Sequence, residues 1–173
     1  GYVHFGGGGE TLSPAVLAQT GGSAVVDWVL VELRNATLPT QVVATMSAVV
    51  TANGTVQGAS GAPVRFLVPN GSYHVAVRHR NHFGCMTASP ILLGSTATVV
   101  DMTASTFAAY GTDARRNNNG KFTLWSGNVN NDRFLRYTGS GNDRDPILLT
   151  VGGSVPTNTC LLYTSPSPRD RQK

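Results

Sequence analysis

Between Gly127 and Leu149 the sequence reads GNVNNDRFLRYTGSGNDRDPILL, which sets Asn and Asp at alternating positions and then gathers acids ahead of a proline. Calcium takes roughly six to eight oxygens from carboxylates, side-chain amides and backbone carbonyls. Asn128, Asn130 and Asp132 stand at the first, third and fifth places of such a loop, where alternate side chains of a tight curl converge. The carbonyl of Phe134 falls at the seventh place, and Asp143 and Asp145 supply later carboxylates. The outline is that of an EF-hand or dockerin-type half-site with three departures. Asn128 lacks a negative charge, Arg133 occupies the place where the sharp turn prefers Gly, and Gly139 leaves closure to Asp143 or Asp145 through a longer loop. Arg133, Arg136 and Arg144 add positive charge nearby, so any calcium affinity is expected to be weak. The competing reading is a polar loop in which Asp145 caps a short helix and the other polar side chains close turns.

Other residue types raise chemistry and then lose it on spacing. His74, His79 and His82 lie within nine positions, but His74 and His79 fall on opposite faces of one strand, so three-histidine zinc binding needs a bulge. Cys85 has no neighbouring base in sequence and reads as a small buried thiol. Asp27, set among apolar residues, reads as a hydrogen-bonded structural residue. The glycosylation-like triplets at Asn35, Asn53 and Asn70 are explained by Asn in turns. No carboxylate pair or Ser/His/Asp grouping is spaced for hydrolysis, so an enzyme is not expected.

The elements that carry these residues read as β. Ala24–Arg34 is apolar on both alternating faces until Glu32 and Arg34, as a central strand is. Gln41–Val50 follows, closed by an Asn53-Gly54 turn signal. Pro63–Val68 alternates Val64, Phe66 and Val68 against Arg65 and Leu67. Tyr73–Arg80 places Tyr73, Val75 and Val77 inward and His74, Arg78 and Arg80 outward. Ser95–Thr103 is a further expected strand. Short strands broken by turns at this spacing predict a β-sandwich of immunoglobulin or transthyretin-like type over residues 22–103, after a piece of a preceding segment at 1–21.

Residues 104–120 are polar and turn-rich and read as a linker, with Tyr110 able to pack back. A small appendage over 121–159 then holds the loop and a short helix, with Asp145 at its N-cap, Pro146 at its first position and Gly152-Gly153 as its stop. Trp125, Phe134 and Tyr137 are expected to form its small core, or alternatively a platform on which sugar faces stack.

The tail changes character at Cys160. CLLYTSPSPRD, from Cys160 to Asp170, resembles the translation of a transposon-based sequencing adapter without a mismatch. Residues 160–173 are thereby expected to be foreign and disordered. They carry three cations and one anion, so without them the net charge of +4 becomes +2 and Cys85 is the remaining cysteine. Nucleic acid is then a poor partner, since no basic and aromatic pattern supports it. No apolar run is long enough to span a membrane. Only 13% of residues are charged, against roughly 25% in average soluble chains, and small polar residues fill the difference, as in many secreted β-proteins.

VVDWVLVELR, PNGSYHVAVRHRNHFGCMTASPILL and AAYGTDARRNNNGKFTLWSGNVNNDRFLRYTGSGNDRDPILLTVGG resemble a C-terminal region of large secreted or cell-surface proteins of gliding, polymer-degrading bacteria, often labelled haemagglutinin-like or adhesin-like. The resemblance covers nearly all of Gly22 to Thr159. The family loop reads Asp-x-Asn-x-Asp-Gly, then Tyr-Thr-Gly and Asn-Asp-Arg-Asp-Pro. Asn130 and Asp132 match its ligand-like places, and Tyr137 to Gly139 and Asn142 to Pro146 match the later block, while Asn128 and Arg133 depart. The resemblance implies a non-catalytic adhesion or accessory module, with other domains of the same large protein and surface polysaccharide as partners and calcium as the candidate ion. A carbohydrate-binding module and a fragment of a polysaccharide hydrolase are the alternatives.

Overall fold

A computed structural model describes residues 1–130, 132, 134–150 and 152 of the chain. Arg133 and the expected foreign tail, 160–173, lie outside the described residues. The architecture is all-β. Among the described residues the strands are β1 (Val3–Phe5), β2 (Val25–Asn35), β3 (Val42–Thr51), β4 (Val56–Gly58), β5 (Gly71–His79), β6 (His82–Met86), β7 (Ile91–Leu93), β8 (Arg116–Asn118) and β9 (Lys121–Thr123). Two short α-helices, α1 (Pro14–Leu17) and α2 (Arg144–Thr150), and a 3-10 turn at Gly21–Ser23 complete the order.

Seven strands form one sheet in the order β1-β3-β2-β5-β6, with β4 also on β3 and β7 also on β5. The three long strands sit centrally because Val-rich, β-branched runs pack well on a pleat covered from both sides. β2 runs antiparallel to both neighbours, with Leu33 opposite Ala44 on β3 and Val75 on β5. One face gathers Val29, Val31 and Ala48, with Val64, Phe66, Val75 and Val77 packed against them. The other carries Leu12, Val16, Val25 and Val49, with Leu17 and Trp28 alongside. α1 brings Val16 there, its first turn held by Ser13 Oγ, which accepts from the Val16 amide, and by Pro14 at the start. Between the hairpin strands β2 and β3, Asn35 Oδ1 accepts from the Thr37 and Leu38 amides. After β3, Asn53 Oδ1 accepts from the Thr55 amide while Gly54 takes a φ of 88°. Both asparagines thus work as turn residues, as expected.

Pro63–Val68 keeps the expected alternation, with Val64, Phe66 and Val68 partly covered and Arg65 and Leu67 exposed, yet only Pro63 makes a ladder contact, to Gln57. Ser95–Thr103 forms no strand, and Val99 is almost wholly exposed. In both stretches the side-chain pattern lacks a neighbouring backbone to pair with, and pairing is what makes a strand. His74, expected outward, is buried: its Nδ1 meets the Thr87 carbonyl at 2.8 Å and its ring meets the edge of Tyr110. Tyr110 does pack back, and with Thr87 it covers the face that alternation assigns to water. Glu32 is also buried there, bonded by the Arg34 guanidinium, which meets the desolvation cost of its charge with a specific partner.

Within the stretch expected as a linker, Arg115 organises the chain. Its guanidinium donates to the carbonyls of Met102, Ala104 and Phe107 and lies over the rings of Phe107 and Phe122. β8 and β9 follow as a hairpin whose turn residues, Asn119 and Gly120, both have positive φ, the signature of a type I′ turn. Cys85 is buried and free, and burial pushes its thiol up, so the expectation of an inert packing cysteine holds.

Candidate functional site

The C-terminal loop hangs from the β6 edge. The Phe83 amide donates to the Trp125 carbonyl at 2.7 Å, the Gly127 amide to the Asn81 carbonyl at 3.0 Å, and His82 pairs with Ser126. Gly127, at φ 103°, makes the bend that leads into Asn128.

At the centre of the loop is Asp143, 7% exposed. Its Oδ1 accepts from the Val129 amide at 2.9 Å and the Asn130 amide at 3.4 Å, and its Oδ2 from the Arg136 amide at 2.9 Å. The Asp143 amide returns a bond to the Arg136 carbonyl at 2.8 Å. One carboxylate therefore ties three points of a curl, which is a strong use of a buried anion because hydrogen bonds to charge are worth about twice neutral ones. Asn130 and Asp132 meet each other: Asn130 Oδ1 accepts from the Asp132 amide, and Asn130 Nδ2 donates to Asp132 Oδ2 and to the Gly141 carbonyl. Asp132 Oδ1 accepts from the Phe134 amide at 2.7 Å. Asn128, 3% exposed, donates through Nδ2 to the Asp132 carbonyl, while its Oδ1 is buried without a partner.

Asp145 is not gathered with these. Its Oδ2 accepts from Asn142 Nδ2 and its Oδ1 from Arg144, and these bonds, Asn142 first, hold its carboxyl below the usual range. The expected helix start needs correction. α2 begins at Arg144, and Asn142 rather than Asp145 supplies the capping oxygen, Oδ1 accepting from the Asp145 amide at 2.9 Å. Asn142 and Asp145 bond reciprocally, the return bond running from Asn142 Nδ2 to Asp145 Oδ2 rather than from the Asn142 backbone amide as in a capping box, and Pro146 falls inside the first turn. Gly152, at φ 78°, follows the helix as expected of a stop; Gly153 lies outside the described residues.

The aromatic trio does not form a small core. Phe134 is 53% and Tyr137 76% exposed, covered on one side by the guanidinium groups of Arg136 and Arg144, at 4.0 and 5.2 Å from the ring centres. Trp125 is partly covered and donates through Nε1 to the Asp113 carbonyl. Polar bonds hold this loop, and they leave the rings outside.

A second polar cluster sits where β5 turns into β6. Asp27, by parity, belongs with Val29 and Val31 of β2, and His79 with Val75 and Val77 of β5, so the two meet at the end of one face. Asp27 Oδ2 accepts from His79 Nε2 at 3.0 Å and from Arg80 Nη2 at 2.8 Å, while its Oδ1 accepts from the Trp28 amide. His79 Nδ1 then faces His82 Nδ1 at 2.8 Å. The structural role expected of Asp27 is visible here, whereas its histidine partner was hidden from sequence by a separation of 52 residues. His74 is elsewhere, so the three histidines do not converge. Among the described residues no group of three His, Cys, Asp or Glu is placed to hold a metal ion.

Burial, then the neighbouring His79, lowers the His82 pKa, with Asp27 opposing. The fold thus favours a neutral His82, while the unfolded chain takes up the proton near about pH 6.5. Stability is full above that pH and falls as pH drops from there toward the lower folded value. Denaturant midpoints in metal-free buffer at pH 7.5 and pH 5 check this: His82→Gln is expected to lose less stability on acidification than the parent does.

No known protein-family model, curated protein or solved structure matches the chain.

Proposed function

We propose that this chain is a non-catalytic accessory or adhesion module of a secreted or cell-surface protein, an immunoglobulin or transthyretin-like sandwich whose C-terminal loop holds shape. The sheet is covered on both faces, by Val64 and Phe66 on one and by Leu12 to Leu17 on the other, as a buried central sheet requires. The observation that carries the functional reading is Asp143, whose carboxylate is committed to three backbone amides of its own loop. A group so engaged braces the chain and is poorly placed to exchange protons with a substrate.

In this reading calcium is a structural ion of the loop. The partnerless Oδ1 of Asn128 is an oxygen of the kind calcium takes, and Asn130, Asp132, the Phe134 carbonyl and Asp143 belong to the same loop. Asp145, turned toward Asn142 and Arg144, is the weakest of the candidate ligands. A bound ion would supply the positive charge that orders the oxygens, so binding and loop ordering would be coupled. A calcium titration followed by amide exchange tests this. Millimolar calcium is expected to slow exchange across Val129–Arg136 in the parent and not in Asp132→Ala. Equal exchange with and without calcium in both chains removes calcium from the reading.

The second reading, a carbohydrate-binding module, is favoured by the exposed rings of Phe134 and Tyr137 with their guanidinium neighbours. Planar rings beside cations suit the faces and acidic groups of surface polysaccharide. Retention of the chain on insoluble polysaccharide separates this reading from a scaffold without ligand.

A further inference from the structure

We propose that His79 and His82 form a two-imidazole site for a divalent transition metal of tetragonal preference, copper(II) or nickel(II), at the turn joining β5 to β6. The Asp27 carboxylate holds the Nε2 hydrogen of His79 at 3.0 Å, and the Asn81 amide donates to His79 Nδ1 at 3.2 Å. His79 Nδ1 is therefore held as an acceptor, shared by the Asn81 amide and by His82 Nδ1, 2.8 Å away. An imidazole oriented by a carboxylate on its far nitrogen is the arrangement that fixes tautomer and raises basicity in metal-bound histidine. Without metal, one proton lies between the two Nδ1 atoms, on His82. Metal entry moves the His82 hydrogen to Nε2 and displaces the Asn81 amide from His79 Nδ1, which leaves one lone pair on each ring for the metal.

At a metal–nitrogen length of about 2.0 Å, nitrogens at a right angle stand about 2.8 Å apart, whereas a tetrahedral angle spreads them to about 3.3 Å. The present 2.8 Å is the length of the hydrogen bond between the two Nδ1 atoms, so a metal held at a right angle in place of the shared proton would leave the nitrogens at their present separation. Square-planar and tetragonal sites of imidazole and oxygen suit copper(II) and nickel(II), and copper(II) stands highest in the general affinity order. With two protein ligands, water completes the coordination and affinity is modest. Arg80, which shares the Asp27 carboxylate at 2.8 Å, lowers it further. The site is independent of the calcium reading, since it uses none of that loop's residues. Its effect would reach the loop nonetheless, because Asn81 and His82 are the residues on which Ser126 and Gly127 dock.

Copper(II) titrated into the full chain, followed by calorimetry and electron paramagnetic resonance, tests the site. A His4→Gln control identifies copper held near the N-terminal amine. The expected result is one copper per chain with coupling from two imidazole nitrogens, retained in His4→Gln. His79→Gln and His82→Gln are each expected to weaken it at least about tenfold, and Asp27→Asn by about tenfold, through loss of imidazole orientation. Zinc is expected to bind more weakly than copper. A His82→Gln chain binding within about twofold of the parent, or a spectrum with a single imidazole, overturns the proposal and leaves the pair as a hydrogen bond only. If one variant loses the sheet by circular dichroism, the nitrogen count in the parent still decides.

Discussion

Replacing Asp143 by Ala is expected to release the C-terminal loop while leaving the sheet folded. The substitution strips the acceptor from the amides of Val129, Asn130 and Arg136 at once. Hydrogen bonds to a charged group contribute roughly 1.5–3 kcal/mol each, and donors left without a partner in a covered site add a further cost, so a local loss of about 3 kcal/mol or more is expected. The effect is not three independent bonds, because all three amides share one carboxylate and the loss of one loosens the others. Amide exchange reads it directly. Protection at Val129, Asn130 and Arg136 should fall by two or more orders of magnitude (about 1.4 kcal/mol is tenfold), while amides of β2 and β3 keep theirs. Asp143→Asn retains one acceptor oxygen without the charge and should fall between. Unchanged exchange at these three amides in Asp143→Ala would mean that the loop is held by something else, and the bracing role assigned to Asp143 would go with it.

Leu33→Ala should act on the whole sheet. Leu33 is 1% exposed on the central strand, between Ala44 and Val75 in register. Ala44 offers little volume to collapse into the space. Truncations of this kind cost roughly 2–5 kcal/mol, and the upper half of that range is expected where neighbours cannot relax. Against a total stability of about 5–15 kcal/mol, the variant is expected to unfold at a much lower denaturant midpoint with an unchanged slope. Leu67→Ala provides the contrast. Leu67 is 72% exposed, so the same chemical change should move the midpoint by less than about 0.5 kcal/mol. A small effect at Leu33 would show that the central strand is not where the sheet's apolar burial is concentrated.

The long central strands were legible because they combine β-branched runs with turn residues at their ends: Val25–Asn35 and Val42–Thr51 fall within a residue or so of the expected spans. Alternation alone was less informative. At Val64, Phe66 and Val68 it correctly marks which side chains are covered, yet no backbone ladder forms. Periodicity reports the side facing the core, whereas a strand also requires a partner, and the partner is set by distant chain. The same limit hid His74, since the residues that cover it, Thr87 and Tyr110, lie far along the sequence. The hairpin of β8 and β9 carried its Asn-Gly turn signal in plain view, but its three-residue arms, with Phe122 as their one apolar residue, are too short for alternation to mark a strand. At the loop, residue types pointed to Asp143 as a carboxylate of interest. They could not say that its oxygens would face inward to amides, because that follows from the path of the backbone.

The way the C-terminal segment joins the sheet has a mechanical consequence. Residues beyond β7 meet the outer strand through brief contacts, Thr87 with Ala109 and His82 with Ser126, each a single rung. The β2–β3 pair, by contrast, spans nearly the full length of both strands. Tension entering from the loop side would part the single rungs separately and reversibly, each step giving up a little length, before the long pair bears any load that it must resist all at once. That ordering makes the distal segment the part that yields first and the central pair the part that yields last.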